Sequence, residues 1–118
     1  FGCGISVDYG HLTEEVFGVR DFQKILTALS ENEMVIDCRT PDEYEAGHIP
    51  GAINLPMGKE LDQLGELQDY RKIYLYCYSG RRSQTVFATL TSKGLDNLVC
   101  LGSSGMAEWK KFGYPVEK

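Results

Sequence analysis

This 118-residue sequence has no closely spaced pair of cysteines, no long apolar run and no excess of positive charge. Its four cysteines never occur in a Cys-x-x-Cys spacing, which disfavours a zinc site. No apolar run approaches the about 18 residues that cross a membrane, and no signal peptide is visible. The net charge of −5 argues against nucleic-acid and anionic-membrane partners, since both select a basic surface. We therefore expect no metal, no membrane and no nucleic acid.

The composition is that of an ordinary folded domain, with 42% hydrophobic and 25% charged residues. A chain of this length can bury a core without covalent cross-links, so four scattered cysteines need not form a disulfide framework. We expect reduced thiols and a cytoplasmic location. Residues 1–15 are glycine-rich and show no periodicity, which predicts an extended lead-in before a single domain over residues 16–118.

Short apolar runs alternate with helical patterns along the chain. The predicted strands cover residues 16–19, 34–38, 52–55, 73–76 and 98–101, and helical spacings begin near residues 21, 41, 61, 83 and 106. This alternation predicts an α/β domain with a parallel sheet covered by helices on both faces. The carboxyl ends of the strands then share one edge, where such sheets bind ligands. Cys38 and Cys77 both fall at that edge.

A polar loop, residues 77–83 with the sequence Cys-Tyr-Ser-Gly-Arg-Arg-Ser, follows the predicted central strand. A strand, a tight loop and a helix in succession aim backbone N–H groups and the positive end of the helix at the sulfur of Cys77. Together with the charges of Arg81 and Arg82, this arrangement favours the thiolate and the binding of a small anion. Cys77 is therefore a candidate nucleophile. The alternative is a buried cysteine beside two solvated arginines.

Three segments in this order resemble the signatures of the rhodanese family. Residues 36–56, Ile-Asp-Cys-Arg-Thr-Pro-Asp-Glu-Tyr-Glu-Ala-Gly-His-Ile-Pro-Gly-Ala-Ile-Asn-Leu-Pro, resemble its first signature. Residues 77–83 resemble its active-site loop, and residues 105–116 resemble its C-terminal signature. The resemblance covers residues 16–117. It implies a rhodanese-like three-layer α/β fold with a central five-stranded parallel sheet and helices on both faces.

The resemblance also implies sulfurtransferase chemistry. In that family the loop cysteine takes the outer sulfur of an anionic donor such as thiosulfate, becomes a persulfide, and passes the sulfur to cyanide or to a thiol, including one on a protein. By position, the implied catalytic residues are Cys77, the nucleophile, and Arg82, which closes the loop and, with the backbone N–H groups, holds the anionic donor and stabilises the persulfide. The implied donor-binding residues are Tyr78, Ser79, Gly80, Arg81 and Ser83. No metal and no organic cofactor are implied, and we expect a monomer or a weak homodimer.

Two alternatives stay open. Phosphatases and arsenate reductases of the same fold are similar, but five residues separate Cys from Arg in their loop, whereas four separate Cys77 from Arg82. The tighter loop favours sulfur over a tetrahedral anion. A non-catalytic regulatory or interaction module of a larger protein is the other alternative, although the presence of Cys77, Gly80 and Arg82 together favours an enzyme.

Cys38 takes a position that is usually Val in the family's sulfurtransferases and Cys in those phosphatases. Because neighbouring parallel strands lie about 4.8 Å apart, a disulfide between Cys38 and Cys77 is geometrically conceivable. We hypothesise that Cys38 is a redox partner of Cys77. The alternative is that Cys38 is a small buried side chain without chemistry.

The first signature also contains four residues that could act as acids or bases: Asp37, Arg39, Glu43 and His48. We interpret them as a structural polar network that fixes the turn, because caps and buried pairs commonly use these residue types. A role of His48 as general base for Cys77 is the weaker alternative.

Overall fold

The computed structural model describes residues 19–101 and 105–118. Its strands in these residues are β1 (Glu33–Asp37), β2 (Ile53–Asn54), β3 (Lys72–Tyr76) and β4 (Leu98–Cys100). Its α-helices in the same residues are α1 (Val19–Leu26), α2 (Pro41–Ala46), α3 (Leu64–Leu67), α4 (Arg81–Ser92) and α5 (Met106–Lys111), and a 3₁₀ helix (Glu60–Gln63) precedes α3. Strands and helices alternate, as the sequence predicts.

The strands form a parallel sheet in the order β2-β1-β3-β4. The two central strands pair over their full length, from Glu33 opposite Lys72 to Asp37 opposite Tyr76. A parallel strand in the middle of a sheet is covered on both faces, which explains why β3 is apolar and almost wholly buried. This register brings Cys38 and Cys77, the next residue of each strand, to the same carboxyl edge.

The sheet has four strands within the described residues, where five were expected. Of the fifth predicted strand, residues 16–18 lie outside the described residues, and Val19 is the first residue of α1. The predicted lead-in, residues 1–15, also lies outside them. Helix α1 ends at Leu26, one turn earlier than the apolar spacing predicts, although Leu29 still packs against the core.

The single helix predicted around residues 61–67 is wrong. The chain forms the 3₁₀ helix and then α3, which is only one turn long. Lys59 and Gln63, which precede these two segments, make no side-chain cap, and Gly65 lowers the helix propensity of α3. Leu61 is consequently 45% exposed, whereas Leu67 is buried.

Helix α2 begins as the sequence predicts. The Thr40 hydroxyl accepts a hydrogen bond from the N–H of Glu43, the Glu43 carboxylate accepts one from the N–H of Thr40, and Pro41 takes the first helical position. The helix ends at Ala46, and its C-cap residue is Gly47, whose φ of 153° lies in a region that favours glycine. This capping fixes the position of Glu43, which matters at the site below.

Two apolar clusters cover the two faces of the sheet. Phe22 of α1 and Trp109 of α5 pack with Tyr76 on one face, while Val86 of α4 packs with Leu75 on the other. Helices therefore lie on both sides, which confirms the three-layer α/β fold. Phe112 lies just beyond α5 and is 44% exposed. Within the two described stretches, no helix is both long and apolar enough to span a bilayer.

Candidate active site

Cys77 lies where β3 ends and the chain turns into α4. The strand is buried from Ile73 to Tyr76, which fixes the start of the loop. Gly80 makes the turn with a φ of 99°, a left-handed conformation that glycine adopts at little cost, and it is the N-cap residue of α4. A strand end, a short loop and a helix N-terminus therefore meet at this cysteine.

The sulfur of Cys77 is surrounded by polar groups from the start of α4. The backbone N–H groups of Gly80 and Ser83 donate to Sγ over 3.1 and 3.4 Å, and the Ser83 hydroxyl oxygen lies 3.6 Å from Sγ. That hydroxyl donates in turn to the carbonyl of Gly80 over 3.2 Å. Amides at a helix N-terminus carry the positive end of the helix dipole, so this environment stabilises negative charge on the sulfur.

Three further residues of the predicted site lie on the outside of the loop. Tyr78 is 49% exposed, and Ser79 and Arg81 are exposed as well. Among residues 19–101 and 105–118, Arg81 takes part in no ion pair. Because Cys77 itself is only 1% exposed, a reactant must carry its reactive atom at the end of a small group to reach the sulfur.

Arg82 reaches toward α2 and forms a bidentate ion pair with Glu43. Its Nη1 lies 2.7 Å from Oε1 and its Nη2 lies 3.2 Å from Oε2. The hydrogen bond from Arg82 is the main reason that the pKa of Glu43 is lowered to about 2, and the same bond raises the pKa of Arg82. Arg82 thus fastens α4 to α2. No sequence pattern predicts this pairing, because 39 residues separate the partners.

The start of α5 holds the loop from the other side. The N–H of Met106 donates to the carbonyl of Cys77 over 2.8 Å, and the N–H of Ala107 donates to the carbonyl of Tyr78 over 3.1 Å. A Cβ on Gly105 would lie 2.1 Å from the Cys77 carbonyl oxygen, so only glycine fits there. Gly105 is therefore a site residue that the sequence analysis did not single out, although it opens the C-terminal signature.

Cys38 follows β1 at the same edge and is also buried. Its N–H donates to the carbonyl of Tyr76 over 2.8 Å. Burial raises the pKa of the Cys38 thiol well above its usual value, and the neighbouring Cys77, Asp37 and Glu60 raise it further. Cys38 and Cys77 both carry free thiols, so no disulfide joins them in this structure.

Cys100, at the end of β4, differs from the other two cysteines of the described residues. Its side chain is buried in the sheet, as expected for a core residue, but its sulfur is disulfide-bonded. The expectation that every thiol is reduced is therefore wrong for Cys100.

The polar residues of the first signature form a buried structural network. The guanidinium of Arg39 binds the carboxylate of Asp37 through Nε and Nη2, and Nη2 also donates to the carbonyl of Gly47. The hydroxyl of Tyr76 donates to Asp37 over 2.7 Å and accepts from the N–H of Ile49. The bonds from Arg39 to Gly47 and from Ile49 to Tyr76 tie the strand ends to the turn after α2, which supports the structural interpretation.

His48 belongs to this framework and not to the sulfur site. Its ring stacks on Tyr44 at a centroid distance of 3.8 Å, its Nδ1 lies 2.9 Å from the Tyr44 carbonyl oxygen, and its Nε2 lies 3.5 Å from Glu117. None of these partners is in the loop, so the geometry gives no support to a general-base role toward Cys77.

Comparison with known proteins gives a consistent result for most of the chain. The family described as "Rhodanese-like domain" matches residues 21–112. A sulfurtransferase of Allochromatium vinosum is 33% identical over 87 residues, which cover 74% of this chain and 80% of the relative. The Bacillus subtilis protein YrkF is 34% identical over 79 residues, which cover 67% of this chain. They cover 42% of YrkF, so the chain spans less than half of that relative.

A solved structure shows the same fold. A rhodanese-related protein from Thermoplasma volcanium superimposes with a TM-score of 0.71 at 30% sequence identity. The match covers 85% of this chain and 94% of that protein. The shared architecture therefore extends over nearly a whole domain.

Proposed function

The chain belongs to the rhodanese-like domain family, and on that premise we propose that it is a sulfurtransferase whose Cys77 carries the transferred sulfur. The observation that carries the proposal is the position of Cys77 Sγ, 3.1 Å from the N–H of Gly80 and 3.4 Å from that of Ser83. Backbone donors aimed at a sulfur stabilise a thiolate nucleophile and, after reaction, an anionic persulfide in the same loop.

The proposed reaction has two displacements at sulfur. The Cys77 thiolate attacks the outer sulfur of thiosulfate; the new bond joins the two sulfurs, and sulfite leaves with the electron pair of the broken bond. Cyanide or a thiolate acceptor then attacks the outer persulfide sulfur, takes it away, and regenerates the Cys77 thiolate. The Ser83 hydroxyl, 3.6 Å from Sγ, can rotate from the Gly80 carbonyl to donate to the anionic sulfur.

The ion pair of Arg82 favours sulfur transfer over phosphatase or arsenate reductase chemistry. A tetrahedral dianion needs a wide loop and an arginine that offers both of its donors to the anion. Here Arg82 gives its two terminal nitrogens to Glu43, and the loop amides point at the sulfur of Cys77 itself. The 1% exposure of Cys77 further favours a donor with a terminal sulfur atom.

The outer face of the loop is the proposed entry for the donor. Arg81 is exposed and without an ion pair in the described residues, so its charge is available to attract a small anion. Tyr78 and Ser79, also exposed, flank the same entry. We propose that Arg81 recruits the donor, while Arg82 acts by holding the loop in place.

A redox role for Cys38 stays a proposal. Oxidation of Cys77 by a peroxide gives a sulfenic acid, which the Cys38 thiol can condense with to form a disulfide and release water. The common sheet edge of the two residues supports this, while the raised pKa of Cys38 slows its attack. Peptide mapping after mild peroxide tests the proposal: a Cys38–Cys77 disulfide supports it, and irreversible oxidation of Cys77 beside an untouched Cys38 contradicts it.

We further propose that the protein is a monomer or a weak homodimer and that its location is cytoplasmic. A thiol on another protein is a proposed acceptor besides cyanide. The free thiols of Cys38 and Cys77 fit a reducing compartment, whereas the disulfide-bonded Cys100 does not.

The function is tested by following thiocyanate formation from thiosulfate and cyanide. We expect turnover in the wild-type protein and none above background in Cys77→Ser. Turnover that is unchanged in Cys77→Ser would remove Cys77 from the reaction. Hydrolysis of an aryl phosphate by the wild-type protein, with no thiocyanate formed, would favour the phosphatase alternative.

A further inference from the structure

A groove of about 590 Å³ lies along the edge of the sheet, between strand β2 and helix α3. Its apolar lining combines Met34 and Ile36 of β1 with Ile53 of β2, Leu55 and Leu67. Ile36, Leu55 and Leu67 are buried at the bottom, whereas Ile53 is 52% exposed. The groove has the volume of a ligand-binding site and an exposed apolar side chain within it.

The groove is separate from the sulfur site. Residues 31–32 of its lining immediately precede β1, and residues 69–70 lie just before β3, so it opens toward the amino ends of these strands. Cys77 follows the opposite end of β3, and a five-residue strand spans about 16 Å. A molecule in the groove would therefore leave the active-site loop open.

The charge of the lining has one sign. Three carboxylates, Glu31, Glu66 and Asp69, are exposed around the groove, and among the described residues no lysine, arginine or histidine lines it. None of the three forms an ion pair with any residue in 19–101 or 105–118. The groove thus offers an apolar floor between negative charges, which complements an apolar ligand that carries cations.

The position of β2 at the edge of the sheet favours a ligand in an extended conformation. In the described sheet, β2 is the outermost strand on this side, so its outer backbone edge has no neighbouring strand. Side chains of an extended segment point alternately to opposite sides, which lets apolar residues contact the floor while basic residues reach the carboxylates. A second copy of this chain fits less well, because it would bring the same three carboxylates against themselves.

From these observations we propose that the groove docks an extended polypeptide segment of a partner protein, in which lysine or arginine residues alternate with aliphatic residues. The site is independent of the sulfur chemistry. Its role is to hold a partner on the face away from Cys77.

The test uses an acetylated, fluorescein-labelled octapeptide of the sequence Lys-Val-Lys-Leu-Lys-Val-Lys-Leu, titrated with the wild-type protein and followed by fluorescence anisotropy. We expect saturable binding that weakens about tenfold in the triple variant Glu31→Gln/Glu66→Gln/Asp69→Asn, since three rim charges are lost. Ile53→Ser, at an exposed position, is expected to weaken binding about threefold through lost apolar contact.

A matched control removes the same number of charges elsewhere. Asp42, Glu45 and Asp96 are exposed and do not line the groove. The variant Asp42→Asn/Glu45→Gln/Asp96→Asn is expected to change binding by less than about twofold in physiological salt, where charges beyond about 8 Å are screened. Backbone amide shifts on peptide addition should cluster at residues 31–36, 53–55 and 66–70.

Four results would overturn the proposal. The first is absence of saturation at millimolar protein, and the second is equal weakening by the control triple variant, which means non-specific attraction. The third is equal binding of a peptide with glutamate in place of lysine. The fourth is concentration-dependent self-association of the protein that Ile53→Ser abolishes, which would assign the groove to a second copy.

Discussion

Cys77 and Cys38 follow neighbouring parallel strands, lie at the same edge and are each 1% exposed, yet different groups surround their sulfurs. Two backbone N–H groups at the start of α4 donate to the sulfur of Cys77. Around Cys38, burial and the nearby Asp37 and Glu60 raise the pKa of the thiol. Burial alone therefore does not decide whether a cysteine is reactive; the direction of nearby dipoles and charges does.

The backbones of the two cysteines are also held differently. The carbonyl of Cys77 accepts from the N–H of Met106, at the start of α5, while that of Cys38 accepts from the N–H of Met57 in the loop after β2. The shape of the Cys77 loop consequently depends on an element far along the chain.

Exchange of each sulfur for oxygen is expected to give the largest difference between the two cysteines. Cys77→Ser should lower thiocyanate formation at least about 10³-fold, because it removes the nucleophile. Cys38→Ser should keep activity within about threefold, since its thiol contacts no reactant in the proposed reaction. Steady-state kinetics with thiosulfate and cyanide measures both activities. Equal losses of activity in the two variants would contradict the proposed difference between the two cysteines.

A change at Gly105 is expected to disturb the Cys77 loop from outside. In Gly105→Ala the new Cβ would meet the Cys77 carbonyl oxygen at 2.1 Å, so the backbone must shift, and we expect a loss of about 1–3 kcal/mol in the free energy of unfolding together with reduced activity. Gly65→Ala, whose Cβ would meet nothing within 4 Å, is the control, with a change of at most about 1 kcal/mol. Urea unfolding measures the free energy of unfolding of both variants. Equal values would contradict the expected clash between the new Cβ and the Cys77 carbonyl oxygen.

The pair of Glu43 and Arg82 is expected to contribute a smaller, pH-dependent stability. The folded pKa of Glu43, about 2, lies below the ordinary value of 4.5, so its contribution is fully present above pH 4.5 and is lost as pH falls toward 2. Because both side chains are partly exposed, we expect Glu43→Gln to cost about 1 kcal/mol at neutral pH.

Urea unfolding of wild type and Glu43→Gln between pH 3 and pH 7 measures this difference, with the exposed Glu45→Gln on the same helix as control. The gap between wild type and Glu43→Gln should narrow steadily below pH 4.5. A gap that is constant over this range would mean that the carboxylate charge of Glu43 is not what stabilises the pair.

The smallest expected effect is the alkylation of Cys38. Because its pKa is raised and its side chain is buried, iodoacetamide should leave Cys38 unmodified in the folded protein through pH 9, and should modify it after denaturation. Peptide mapping by mass spectrometry follows the modification. Rapid labelling of folded Cys38 at neutral pH would contradict both the burial of its side chain and the raised pKa of its thiol.

The order of the elements and the position of Cys77 are readable from the sequence because both depend on local patterns. The apolar run before Cys77 predicts β3, Thr40 and Pro41 predict the start of α2, and the loop glycine predicts the tight turn at the sulfur. These signals lie within a few residues of the features that they specify.

The contacts that shape the site could not be predicted in the same way, because they join residues far apart in the chain. Two examples are the ion pair of Arg82 with Glu43 and the hydrogen bond from the N–H of Met106 to the Cys77 carbonyl, and both depend on tertiary packing. The groove along β2 is lined in part by Gln63 and α3, where the expected single helix forms two short segments, which an apolar spacing alone does not reveal.

The central claim is that Cys77, and not Cys38, carries the transferred sulfur. Its most direct test is the intact mass of the reduced protein after brief exposure to thiosulfate, followed by peptide mapping of the modified residue and then treatment with cyanide. We predict one added sulfur on Cys77 that cyanide removes, present in Cys38→Ser and absent in Cys77→Ser. A persulfide on Cys38, or an added sulfur that persists in Cys77→Ser, would contradict the account.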